Sequence, residues 1–267
     1  MDLKIIYEDK DVLVVDKPAG IVVFPEVESL KSGEKTLIDY LIEKYPKLVE
    51  AGPPPRYGIA HRLDKDTSGV LLVAKSTEAL IFLQKQFSLP AVALQNKAKE
   101  GAGSKPLEKR VEKMYIALVE GNIENEKGII HTLIARAKGD PRKQRAYSEI
   151  NAPKSAREAI TEYKVIGRYK SPTSPRLRGV TPSQFTLLEV KIKTGRRHQI
   201  RCHFSYLKHP IAGDKLYSFK NSKIPSGLAR QFLHSAYLKI QLPNGEIKEF
   251  ESELPEELNN ILNKLEK

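Results

Sequence analysis

The stretch HRLDKDTSGVLLVAK, His61 to Lys75, places two aspartates, a Thr-Ser pair and a glycine between an arginine and an apolar run. Three readings of its centre compete. As a calcium loop, Asp64, Asp66, Ser68 and Gly69 fit the first half of an EF-hand, but the twelfth position must be a bidentate Glu and is Lys75. The residues after Gly69 are also strand-like rather than helical, so calcium is excluded. As the acid pair of a retaining glycosidase, Asp64 and Asp66 would stand about 6.5–7 Å apart along an extended backbone, near the ~5–5.5 Å that such enzymes need between carboxyls. Both would point the same way, which ill suits flanking the two faces of one sugar. As an Asx-type turn, the Asp and Ser side chains would bond nearby amides ahead of a strand. That suits Asp66, Thr67 and Ser68 better than Asp64, which follows His61-Arg62 at the mouth of a buried run.

Outward from this stretch, local patterns alternate. VLVVD (12–16) is β-branched and apolar, KPAG supplies a turn, and IVVF (21–24) is expected to resume a strand. TLIDYLIEKYPKLVE (36–50) has the apolar spacing of an amphipathic helix capped by Thr36. GPPPRYG (52–58) is irregular, GVLLVAK (69–75) is a buried strand, and Ser76 caps a helix with Glu78 in its first turn. Residues 89–112 break the rhythm and read as an insertion or mobile loop. KMYIALVEG (113–121), ITEYKVIGRY (160–169), FTLLEVKIKTG (185–195) and HSAYLKIQLPNG (234–245) are further strands. PTSPRLRGVTPSQ (172–184) is a Pro-punctuated connection, RRHQIRCHFSYL (196–207) a helix, and a last helix starts at Pro255. Many strands, few helices and no regular β-α alternation imply α+β with a mixed, mostly antiparallel central sheet and flanking helices.

The chain of 267 residues is 40% hydrophobic and 29% charged, enough to bury a substantial core. No apolar run approaches the ~18 residues of a membrane span. The acidic, strand-like N-terminus is unlike a secretory signal. A lone cysteine, Cys202, excludes an internal disulfide framework and a Cys-rich zinc site. A reduced, cytoplasmic protein is expected. Charge says more. Net charge is +12, yet residues 1–51 carry 7 basic and 11 acidic side chains and residues 241–267 carry 3 and 7, which leaves the middle at +20. Three tracts concentrate it: ARAKGDPRKQR (135–145), KVIGRYKSPTSPRLR (164–178) and KIKTGRRHQIR (191–201). A basic centre between acidic ends suits a polyanion-binding face, against the alternative of a solvated lysine-rich surface.

YEDKDVLVVDKPAGIVVFP, HRLDKDTSGVLLVAK, the K-x-Y of KMYIALVEG and GRRHQIRCHFSYLKHPIAGDKLY together resemble the RluA-type family of RNA pseudouridine synthases. The likeness runs from about Tyr7 to about Leu254, and the R-L-D-x-x-T-S-G and G-R-x-H-Q-I-R motifs are specific in combination and order. The resemblance implies the pseudouridine synthase catalytic fold with a basic active-site cleft, as a single domain over residues 1–267. It implies RNA as partner, with specific uridines of ribosomal or transfer RNA isomerised, and no cofactor, metal or membrane; a monomer is expected.

The resemblance makes Asp64 the catalytic residue. Isomerising uridine breaks the N1–C1′ bond, turns the uracil and rejoins it through C5, so no water enters and one carboxylate suffices. Asp64 could attack C1′ or remove a sugar proton, and the residues leave both routes open. Tyr115 would stack on the uracil and take part in loss of the C5 proton, with Lys113 on the same strand face. Arg201 would pair with Asp64 and keep it ionised. Arg62 would help fill the space vacated by an extruded uridine, Leu233 would pack beside the base, and Arg197 and His198 join the substrate-binding set. His198 and His203 point to different sides of a helix, and Cys202 adds no third ligand, so zinc is not expected. Two departures concern the substrate: many relatives carry a small RNA-binding domain ahead of the catalytic one, for which this chain has no room, and the segment 89–112 is longer than the family pattern. The rival from another class is a catalytically silent RNA-binding module on the same fold, for which a carboxylate facing RNA has no use.

Overall fold

The computed structural model describes residues 1, 3–25, 33–88, 111–172 and 182–267. The strands in chain order are β1 (Ile5–Glu8), β2 (Val12–Lys17), β3 (Ser68–Ala74), β4 (Glu112–Glu120), β5 (Lys127–Arg136), β6 (Gln144–Tyr147), β7 (Arg157–Lys170), β8 (Gln184–Ile192), β9 (Leu233–Gln241) and β10 (Ile247–Glu251). The helices are α1 (Leu37–Lys44), α2 (Thr77–Ser88), α3 (Gln199–Tyr206) and α4 (Glu256–Asn263). Among the described residues no helix is long and apolar enough to cross a membrane. Two compact units divide the chain, Met1–Lys113 with Ser235–Glu253 and Met114–His234 with Leu254–Lys267.

In the first unit the strand order is β1-β2-β3-β9, with β10 on β9, and the β1–β2, β2–β3 and β9–β10 pairs are antiparallel. Register explains why VLVV and GVLLVA read as unbroken apolar runs. Val12 faces Ala74 and Val14 faces Leu72, and this side packs with Val70, Leu238 and Ile240 against Ala79, Leu80 and Leu83 of α2. The alternate positions Leu13, Val15, Leu71 and Val73 are just as buried, so both faces of this sheet are covered.

Two expectations fail here. IVVF is not a strand, because the carbonyls of Val22 and Val23 accept the first amides of α1, from Leu37 and Ile38, rather than a strand partner. Helix α1 ends at Lys44 rather than running to 50, since Tyr45 precedes Pro46 and the chain continues only as a 3-10 turn, Pro46–Glu50. Thr36 does cap it: the Asp39 carboxylate accepts from the Thr36 amide (2.8 Å) and hydroxyl (2.7 Å).

In the second unit the order is β4-β8-β7-β5-β6, antiparallel throughout. Helix α3 covers β5, β6 and β7 by packing Cys202 with Ile134, Ala146 and Ala159, and Phe204 meets Tyr163 edge-on at 5.8 Å. Leu258 and Ile261 of α4 close a second cluster with Leu118, Phe185 and Phe232. Strands β5 and β6 were not expected. They form a hairpin whose tip is the basic tract 135–145, closed by the Ala137 amide on the Lys143 carbonyl at 3.0 Å. At the tip Asp140 accepts the Arg142 amide and guanidinium, and that arginine holds its carboxyl down near 2. Most of 89–112 and of 172–184 lies outside the described residues.

Candidate active site

Asp64 opens a tight turn in which the Thr67 amide donates to the Asp64 carbonyl at 3.1 Å. The turn is tied to the KPAG turn at the end of β2. The carbonyl of Lys65 accepts the Gly20 amide (2.9 Å) and the Lys17 ammonium (3.0 Å), and the same ammonium reaches the Pro18 carbonyl (2.7 Å). Lys17 is fully buried, an unusual position for a lysine. By donating to both carbonyls it ties the turn that carries the half-buried Asp64 to the end of β2. Behind the turn, Thr67 and Ser68 are buried and Gly69 has φ +114°. A Cβ at Gly69 would lie 2.1 Å from the Ser235 carbonyl oxygen, so only glycine lets β3 approach β9 so closely.

The neighbours of Asp64 are packed rather than loose. The Arg62 guanidinium lies 5.1 Å from the Phe24 ring, which Arg56 also covers at 4.7 Å. His61 accepts the Leu72 amide on Nε2 at 3.0 Å, and its ring lies 4.8 Å from Phe87. Burial, and then the Lys113 ammonium, push its pKa down to about 3, so the ring is neutral and structural. Lys113 itself sits 5.3 Å over Phe87.

The second unit holds the remaining candidates. Tyr115 is on β4 opposite Val190 of β8 and only 6% exposed. Leu233 begins β9, buried, with its carbonyl taken by Arg230 Nη1 at 3.2 Å. Helix α3 starts at Gln199, not at 196, because His198 adopts a left-handed conformation (φ 54°) and acts as its N-cap. Arg197 therefore lies ahead of the helix rather than within it.

Gln199 anchors this start with all four of its amide bonds. Its oxygen accepts from Thr194 Oγ1 and the Arg196 amide, and its nitrogen donates to the Ile160 carbonyl and Thr161 Oγ1. His203 lies buried between the hydroxyls of Thr161 (2.8 Å) and Thr132 (3.0 Å), and burial, with a smaller push from His131, lowers it to about 4. Burial raises the Cys202 thiol to about 12, so it is no nucleophile at neutral pH. Among the described residues no three His, Cys, Asp or Glu side chains could hold a metal.

Arg201 is 7% exposed, and its partner within the unit is Asp214: Nε meets Oδ2 at 2.7 Å and Nη2 meets Oδ1 at 2.9 Å. Tyr217 lies beside the pair, its ring 5.1 Å from the guanidinium. Its hydroxyl is bonded to His198 Nδ1 (3.0 Å) and accepts the Gln144 amide (2.7 Å). Arg201 and His198, named from sequence, are thus brought together through Tyr217. Asp214 and Tyr217 were not singled out. One signal was available: Asp214 is the only acid between Glu189 and Glu246, a long basic stretch.

Comparison with known proteins follows the same lines. A family model described as RNA pseudouridylate synthase matches residues 11–206. An uncharacterized RNA pseudouridine synthase of Aquifex aeolicus is 36% identical over 99% of this chain and 73% of its own length. Ribosomal large subunit pseudouridine synthase D of Borreliella burgdorferi is 34% identical over 95% of this chain, which spans 65% of that protein. The solved structure of human RNA pseudouridylate synthase domain containing 1 superposes with a TM-score of 0.63 at 25% identity, covering 94% of this chain and 83% of that one.

Proposed function

The chain belongs to the RNA pseudouridylate synthase family, of the RluA type, and from that premise we propose that Asp64 isomerises a uridine of large-subunit ribosomal RNA with help from Tyr115 and Arg201. The observation that carries the reading is the fixed turn at Asp64: a half-buried carboxylate whose backbone is held by a buried ammonium and an amide. A carboxylate that attacks C1′ or takes a sugar proton must be ionised and already in place, because proximity supplies much of the rate. Arg201 would pair with Asp64 and keep it charged against the ribose. Tyr115 would stack on the uracil while the N1–C1′ bond breaks, the base turns and C5 bonds to C1′. The C5 hydrogen then leaves as a proton and N1 gains one, so the reaction balances without a cofactor.

The target base must leave its stack for both C1′ and C5 to be reached. Arg62 and Leu233 would occupy the vacated space and the edge of the base, with Lys113, Arg197 and His198 on the flanking backbone. The basic hairpin tip at 135–145 would grip phosphates, giving affinity that falls steeply with salt and carries little sequence information. Ribosomal RNA as target rests on the similarity to ribosomal large subunit pseudouridine synthase D of Borreliella burgdorferi. A monomer working in the cytoplasm as one catalytic domain completes the reading.

The test is tritium release from C5-labelled uridine in ribosomal RNA, comparing wild type with Asp64→Ala. The expected outcome is release by the wild type and a fall of about 10³-fold or more in the variant, with RNA binding retained. Silence from both proteins with binding intact would favour the catalytically silent binding module.

A further inference from the structure

The buried contact between Arg201 and Asp214 has no place in the chemistry above, yet it is a two-point ion pair shielded from water. A guanidinium presents five N–H donors in one plane. Asp214 takes the side of that fork, Nε at 2.7 Å and Nη2 at 2.9 Å, and a two-point contact fixes the plane as well as the position. The carboxylate is itself preset, since Oδ1 also accepts the amides of Leu216 (2.9 Å) and Tyr217 (3.0 Å) within its own loop. Side-chain exposure is 9% for Arg201 and zero for Asp214, so water does little to loosen either partner. Tyr217 lies beside the guanidinium, 5.1 Å from its ring.

This arrangement would be counterproductive if Arg201 served only as a positive charge, because a buried carboxylate at contact distance offsets most of that charge. It is productive if Arg201 serves as a rigid pair of directed donors. We propose that Asp214 is the positioning residue for Arg201. It holds the side of the fork, so that the end, Nη1 and the second Nη2–H, keeps one orientation. This rests on the reading that Arg201 pairs with Asp64. Asp214 touches neither the ribose nor the base and acts through Arg201. Asp214 is the only acid between Glu189 and Glu246, so no other carboxylate of that stretch competes for Arg201.

The experiment uses the full chain, ribosomal RNA labelled at C5 of uridine, and five variants: Asp64→Ala, Asp214→Asn, Asp214→Glu, Arg201→Lys and the Arg201→Lys/Asp214→Asn pair. Far-UV circular dichroism and thermal melting identify the folded proteins. Asp214→Asn is expected to lower kcat about 10²-fold, the scale of a 1 Å misplacement, with KM for RNA within about twofold. Asp214→Glu keeps the charge on a stem one methylene longer, so it stays folded and loses kcat about tenfold even where Asp214→Asn does not fold. Arg201→Lys keeps the charge without the fork and falls as far as Asp214→Asn. The double variant falls no further than Arg201→Lys alone, because both changes remove one unit. A folded Asp214 variant with kcat within twofold of wild type would overturn the proposal, as would a loss confined to KM or additive losses in the double variant. An active Asp64→Ala would instead sink the catalytic reading, whatever the Asp214 variants do.

Discussion

Asp64 and Arg201 are held in place by opposite means. In the first unit a buried cation, Lys17, grips backbone carbonyls and thereby sets a turn that carries an acid. In the second a buried acid, Asp214, grips a guanidinium and thereby sets a side chain on a helix. Positioning through the backbone sets the turn that carries Asp64, whereas positioning through the fork sets the plane of the Arg201 guanidinium itself.

The largest effect is expected at Gly69. Gly69→Ala puts a methyl 2.1 Å from the Ser235 carbonyl at φ +114°, so β3 and β9 must separate. A loss of about 3 kcal/mol or more in urea unfolding is expected, and an unchanged midpoint would mean the close approach is not needed. Lys17→Met removes the donor of the Pro18 carbonyl and one of two donors to Lys65. A cost of roughly 1–3 kcal/mol follows, and kcat should fall with it as the turn under Asp64 loosens. A variant with full activity and reduced stability would make Lys17 a purely structural lysine.

The units also share one device, a buried neutral histidine, and this sharpens the comparison through pH. His203 is lowered to about 4 and His61 to about 3, against about 6.5 when unfolded. Folded pKa values below the unfolded one mean that the unfolded state takes up protons first as pH falls. Stability is therefore undiminished above about pH 6.5 and drops, for each histidine, by about 1.4 kcal/mol per pH unit between there and the folded pKa. His203→Asn, which can still bond the two threonines, should remove one proton from that slope and leave the His61 share. An unaltered slope in chemical unfolding between pH 6 and 4.5 would show that His203 is protonated in the fold.

Legibility followed the same divide. The turn at Asp64, the buried strand after it and the capped start of α2 were readable because each is decided within a few residues: turn-forming Asp and Gly, a doubly covered apolar run, a Ser cap. IVVF and the length of α1 were misread because a tertiary hydrogen bond and one proline overrode local propensity. The hairpin β5–β6 was read only as charge, since the basic side chains at its tip mask the alternation of the strands below. Helix α3 was expected, but no local propensity encodes the left-handed His198 that starts it at Gln199 and leaves Arg197 ahead of it.

By itself, the sequence determined the reaction family and a basic centre suited to a polyanion, because motifs, charge and turn chemistry are local properties of the chain. Only the tertiary structure decided how those groups are held. The ammonium of Lys17 meets a carbonyl 48 residues away, and Arg201 meets an acid 13 residues away. Contacts of that kind depend on which surfaces the core brings face to face, and no local pattern encodes them.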